Sequence, residues 1–350
     1  MVTEQIEFTE RELLMCHDVD APLVAGGRRC HGGFLDDGRY VSPRTKHRVP
    51  AIQAWQAHHR EVFGTEILDV PLDTFGENYP NVAQARYLIE AGVPEPLIAT
   101  LTRIGTVEGL GANIRLLKPG NLQPRFDDDI RGTALDHLGK GLFEAHGRDE
   151  AGFEDEAGHE DMWFAARDIA FDHPTSTVDV EAMLERLGFG PNRKGGGATD
   201  RLLPDDVSAN VEAMAMLMVR VLLIEISAFR TFAWAEAWLS DVDLVAGDGA
   251  AADLVSYIRA DETPHIAYLA TALTEMRDRT WIGESGKKYP GTEMVGTLLD
   301  VSMAAVGPNR DEGRAATLRE IEHWCDQRRN GAEILEGFHA LDTEDQPAPA

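Results

Sequence analysis

The strongest constraint on this chain is the segment 206–240, which contains MLMVRVLLIEISAFRTFAWAEAWL. It is apolar on nearly every side and keeps a helical period, so it reads as one long buried helix. Arg220, Glu225, Arg230 and Glu236 interrupt it. That is too much charge for a membrane span. The residues three and four positions from Glu225 are Val221, Leu222, Ala228 and Phe229. Glu225 therefore faces the core, where a carboxylate must be paired, protonated or bound to a metal.

A helical period dominates from residue 81 onward. Segment 94–117 reads as a helix with proline at its start and Pro119-Gly120 past its end. Segment 133–172 follows the same period, with a break expected near Gly147. Segment 249–279 is another helix, and 311–340 gives one or two closing ones. No alternating strand pattern is sustained and no repeat of solenoid length occurs. The expected fold class is all-α, built on a bundle of four long helices with additional helices. Residues 1–80 form an irregular N-terminal extension wrapped on the body, with one helix near 49–63. Residues 81–345 form the bundle domain, with an insertion at about 173–205 that holds a short helix and the loop GPNRKGGGATD. That loop would serve as a linker or a lid. The tail, 341–350, is expected to be disordered.

Three further helical pieces repeat the anomaly of Glu225. Glu108 lies among Ile104, Gly105, Gly111 and Ala112. The pattern Asp-Glu-x-x-His occurs twice, as Asp155-Glu156-Ala157-Gly158-His159 and as Asp261-Glu262-Thr263-Pro264-His265. On a helix, Glu and His three apart share a face. Depth supports the second pairing: Glu225 and Glu262 lie at similar distances from the turn near 240–250, within roughly 5 Å of each other along the axes. Glu236 would sit too close to that turn. The candidate ligands are thus Glu108, Glu156, His159, Glu225, Glu262 and His265. Four carboxylates and two imidazoles suit a pair of divalent iron ions, or manganese with iron. Glu320–His323 and Glu336–His339 repeat the spacing without the preceding Asp or a lone core-facing glutamate, and read as surface residues.

Proline inside the second pattern removes one helix hydrogen bond and predicts a kink or bulge there. Gly105, Gly109, Gly111 and Gly158 either leave room for a substrate or allow close helix packing. Phe229, Phe232, Met218 and Leu222 are candidates to line an apolar pocket.

Composition narrows the partners. A formal net charge of −27 disfavours nucleic acid and anionic membranes. The three cysteines do not form a disulfide framework, and the N-terminus carries no apolar signal core. Both lead to the expectation of a cytoplasmic protein. Cys16-His17 and Cys30-His31 show no recognisable metal spacing.

On these six residues, over about 94–280, the sequence resembles the ferritin-like di-iron carboxylate proteins. The group includes acyl-carrier-protein desaturases, multicomponent monooxygenase hydroxylases, arylamine N-oxygenases and ribonucleotide reductase small subunits. The resemblance implies a ferritin-like four-helix core and two iron ions per chain. It also implies dioxygen as co-substrate, hydroxylation, desaturation or N-oxygenation of a small organic substrate, and an external reductase or ferredoxin. A homodimer is compatible with it. It gives Asp155 and Asp261 the role of carboxylate partners to the ligand histidines, and places Trp163 beside the site. The sequence departs from several subfamilies. Gly158 and Pro264 stand where desaturases and monooxygenases carry Arg, Trp163 where the reductase subunit has its radical tyrosine, and Ile258 where the N-oxygenases have an extra His. A ferritin-type iron-oxidising protein and a radical-generating subunit are the alternative readings.

Overall fold

The computed structural model describes residues 6–171 and 201–342. The short helix and glycine-rich loop expected near 173–200, and most of the expected tail, lie outside those residues. The described residues are mostly helical, with two small antiparallel sheets.

The N-terminal part is more regular than the sequence suggests. Helix α1 (Glu10–Leu13) starts at a reciprocal cap between Thr9 and Glu12. Strands β1 (Ala21–Ala25), β2 (Arg28–Phe34) and β3 (Tyr40–Val41) form a sheet in that order. The β1–β2 turn is Gly26-Gly27, with φ of 56° and 78°. That conformation suits a two-residue hairpin and is open to glycine at little cost. Helix α2 (Arg48–Phe63) follows and ends at Gly64 in the left-handed region. Its Trp55 shares a core with Leu13, Met218 and Leu269, so this part of the chain is built into the hydrophobic interior.

The body contains α3 (Val82–Glu90), α4 (Glu95–Gly111), α5 (Ala134–His137), α6 (Leu142–Ala151) and α7 (His159–Ala170). After the undescribed stretch come α8 (Ala209–Leu239) and α9 (Ala250–Arg277). A hairpin of β4 (Thr280–Ile282) and β5 (Lys288–Pro290) leads to α10 (Gly291–Ala304), α11 (Val306–Asp326) and α12 (Gly331–His339). Helix α8 packs along α9, α7 packs against both α4 and α9, and α6 packs against α4 and α7. The Arg259–Glu236 ion pair joins α9 to α8 near their connection. It accounts for Glu236, which lies near that turn and away from the core carboxylates.

Two expectations change. Segment 133–172 is broken at 138–141, where Gly141 takes φ of 127°, and at 152–158, rather than near Gly147. And α9 continues unbroken through Pro264, which is itself buried. Among the described residues, no helix is long and apolar enough to cross a membrane.

Candidate metal centre

Two groups of buried side chains meet between α4, α6, α7, α8 and α9. One comprises Glu108, Glu150, His159 and Glu262, the other His146, Glu150, Glu225 and His265. Within each group the nearest potential ligand atoms lie within 4.8 Å of one another. The carboxylates of Glu150 and Glu262 reach both groups. Glu150 Oε2 is 3.4 Å from His159 Nδ1, and its Oε1 is 3.1 Å from His265 Nδ1 and 3.4 Å from His146 Nε2. Glu262 Oε1 is 3.0 Å from His159 Nδ1 and its Oε2 is 2.7 Å from His265 Nδ1. Glu108 closes the first group, 3.5 Å from His159. Glu225 closes the second, 3.1 Å from His146 Nε2.

The structure therefore brings together Glu108, His159, Glu225, Glu262 and His265 of the six candidates. Glu156 lies apart from them. The segment expected to be helical is a turn: Gly152 and Glu154 take positive φ, Phe153 and Glu156 bond each other's backbones, and Ala157 N–H donates to Arg29 C=O. This turns the Glu156 side chain outward, 2.7 Å from His31 Nδ1 and 3.4 Å from Arg29. Asp155 is exposed and partners no histidine of the cluster. Glu150, six positions earlier in the sequence, occupies the place assigned to Glu156. Helix α6 also supplies His146, which the sequence reading did not single out. His146 and Glu150 are four apart on α6, so the available signal was a His-x-x-x-Glu face rather than Glu-x-x-His. Gly158 is needed at the entry to α7: a Cβ there would lie 2.6 Å from Glu150 C=O and 2.7 Å from Asp149 C=O.

Outer partners hold the histidines. Asp261 Oδ2 lies 3.5 Å from His159 Nε2 and accepts a hydrogen bond from Tyr40 Oη at 2.9 Å. Asp149, adjacent to Glu150, takes the role expected of Asp155. Its Oδ2 is 3.0 Å from His265 Nε2, and it is held by Arg44 at 2.7 Å and Arg48 at 2.8 Å. His146 Nδ1 meets Tyr268 Oη at 3.0 Å, and its ring stacks on His265 with centroids 3.9 Å apart. Tyr40, Arg44 and Arg48 all belong to the N-terminal part. Trp163 is fully buried and packs on Phe232, 4.9 Å between centroids.

The electrostatics are those of crowded acids out of water. Burial, and then repulsion from neighbouring carboxylates, raises Glu150 and Glu262 well above the usual range. Burial also raises Glu108, against the pull of His159. Burial alone would lower His159, but Glu262 and Glu150 hold it well above its ordinary value. Burial, followed by the neighbouring His146, lowers His265 to about 3. Arg44 and Arg48 overcome burial and keep Asp149 ionised far below the normal range. His146 Nε2, Glu150 Oε1, His159 Nδ1 and Glu262 Oε1 are buried with no hydrogen-bond partner of acceptable geometry. All four atoms point into the cluster. Buried polar atoms without partners are costly, and this donor set of carboxylate and imidazole suits divalent first-row metals.

A pocket of ≈ 680 Å³ reaches Glu108. Phe232 lines it, while Met218 and Leu222 sit in the core and Phe229 faces Arg259. The glycines of α4 serve packing. A Cβ at Gly105 would meet Trp163 at 3.0 Å, and one at Gly111 would meet Glu150 at 2.6 Å. The other Glu-x-x-His copies are peripheral: Glu320 pairs with Arg103 at 2.6 Å, and Glu336 and His339 are exposed.

No family model matches this chain, nor does any curated protein or solved structure.

Proposed function

We propose that this chain is an oxygen-activating di-metal oxidase or oxygenase, with a ferritin-like bundle core, that acts on a small organic substrate. The observation that carries the reading is the pair Glu150 and Glu262. Each is buried, and each offers one oxygen to His159 and the other to His265. Carboxylates so placed would serve both ions of a metal pair and offset most of their charge.

Glu108 and His159 would hold one ion, and His146, Glu225 and His265 the other, with Glu150 and Glu262 between them. A reduced iron pair, or manganese with iron, supplies there the electrons that activate dioxygen for hydroxylation, desaturation or N-oxygenation. The chain's own residues do the rest. Asp149 accepts the outward N–H of His265, which fixes its tautomer and turns Nδ1 inward, and Asp261 sets a carboxylate 3.5 Å from His159 Nε2. Trp163 and Phe232 keep water from one side. The pocket against Glu108 favours an organic substrate over iron storage. The sequence carries no flavin, nicotinamide or iron–sulfur motif, so electrons would come from a separate reductase or ferredoxin.

The test is metal content and the near-ultraviolet spectrum of protein produced with iron, for wild type and Glu262→Ala. Two metals per chain and a ferric charge-transfer band, both lost in the variant, support the reading. A wild type free of metal, or a variant that binds as wild type does, overturns it.

A further inference from the structure

The pocket beside Glu108 is walled by α4 and α8 and covered by the joint between α10 and α11. Val301, Ser302 and Ala305 line it before and at the joint, and Val306, Asn309 and Gly313 from the first half of α11. Val306, Asn309 and Gly313 fall on one helix face. That face covers the pocket, yet none of residues 301–320 is buried, and Val301 is 43% exposed.

Both flanks of this cover are anchored. Before the joint, Met294, Val295 and Leu298 of α10 belong to the main core. Further along α11, Ile321 and Cys325 enter a small separate core with Leu88, Val93, Ile334 and Phe338. Arg103 holds Glu320 there at 2.6 Å, and Arg328 holds Glu95 at 2.5 Å. Between the two anchors the contacts are made by side chains that reach water. Arg310 packs against Gly76, and Arg314 lies 4.2 Å over the Tyr79 ring and 2.5 Å from Asp342. Ion pairs open to solvent contribute little. Two glycines weaken the same half. A Cβ at Gly307 or Gly313 would meet nothing within 4 Å, and neither residue takes positive φ. Packing and turn geometry therefore require neither glycine, and each loosens the helix relative to alanine. A helical stretch with no buried side chain opens at low cost while its flanks stay closed.

We propose that residues 301–316 are a lid. The joint at Ala305 and the first half of α11 open as one unit between fixed ends at Leu298 and Ile321. That opening is the route by which a ligand reaches the floor of the pocket at Glu108. This deepens the proposed function by naming how access to its site is controlled. It rests on that reading for what happens at the cluster, and not for the motion itself.

The experiment combines hydrogen exchange with thiol labelling, both on metal-free protein and both resolved by peptide mass spectrometry. After correction for intrinsic rates, amides of 310–316 are expected to exchange about 100-fold faster than those of 321–326. Ser227 lines the pocket from α8, so Ser227→Cys places a thiol there for labelling with dithiobis(nitrobenzoate). With Gly307→Ala and Gly313→Ala added, both the exchange of 310–316 and the labelling of residue 227 slow about tenfold. Ala315→Gly, at an exposed position of the same half, speeds both about fivefold. Labelling of Cys325, in the small core, stays constant throughout. Equal exchange in the two halves of α11 would overturn the inference. So would labelling of residue 227 that ignores these variants, or labelling of Cys325 that follows them. Metal content is read separately on wild type and Glu262→Ala, so failure of the metal centre and failure of the lid are distinct results.

Discussion

Asp149 Oδ2 lies 3.0 Å from His265 Nε2, across from a helix that the Asp149 side chain does not belong to. Asp261, on α9, approaches Nε2 of His159 on α7 at 3.5 Å, an ion-pair distance without a hydrogen bond. Each Asp precedes a cluster glutamate, Glu150 or Glu262, and supports a histidine on another helix. The supports are therefore crossed, and each depends on the packing of two helices.

Asp149→Asn tests that support. The ring of His265 loses a charged acceptor, and metal affinity should fall about 10- to 100-fold by calorimetry. Arg44 and Arg48 lose their buried carboxylate, so metal-free protein should also lose about 3 kcal/mol or more in urea unfolding. Unchanged affinity would show that Asp149 serves only the arginines.

Glu150 and Glu156 separate the cluster from the repeated motif. Glu150→Ala should abolish metal binding in both groups, measured by plasma mass spectrometry after dialysis. Glu156→Ala should leave metal content at the wild-type level and cost about 1 kcal/mol through its lost bond to His31. The reverse pattern would place the metal ligand in the 152–158 turn.

His146 makes the two halves unequal. The half with His146 and His265 is richer in nitrogen, so it should favour ferrous iron over manganous ion more than the half with Glu108 and His159 does. His146→Gln should weaken the second equivalent of iron by at least about tenfold while the first remains. Anaerobic titration with each metal reads both effects. Two equal equivalents in the variant would remove His146 from the ligand set.

Stability of the metal-free protein should fall as pH rises from about 6.5 to about 8.5. Burial raises Glu150 and Glu262 well above their usual value and Glu275 to about 7, while neighbouring carboxylates raise His159. Groups raised on folding contribute stability that is lost as pH climbs through the folded value. Below about 6.5 the sign is opposed by His265, lowered to about 3, and His31, lowered to about 4, both chiefly by burial. Glu275→Gln should remove about 1 kcal/mol or less of the fall. Thermal melts with a chelator check this; stability that rises over the window would contradict the assignment of raised groups.

Much of the site was legible because its signals are local. Glu108 and Glu225 announce themselves as lone acids on apolar helix faces, and Glu262 and His265 share a continuous helix that the period predicts. Asp261 lies beside His159, and Trp163 is buried against Phe232. Glu156 was misplaced because the motif assumed an unbroken helix. Gly152 at φ 77° and Glu154 at φ 54° turn the chain there, and the backbone of β2 captures Ala157. Glu150 and His146 were missed because α6 is short and ordinary in composition. Pro264 was expected to disturb α9, yet the helix continues around it.

The sequence by itself determined the helical class, the long apolar α8 and α9, and the burial of acids on their faces. Periodicity is a property of neighbours along the chain, so it can be read without the fold. Only tertiary structure decided which carboxylates meet. It turned Glu156 outward and brought Glu150 in. It carried Tyr40, Arg44 and Arg48 more than a hundred positions along the chain to Asp149 and Asp261. Such contacts depend on how helices and the N-terminal sheet pack against one another, and no local spacing encodes that.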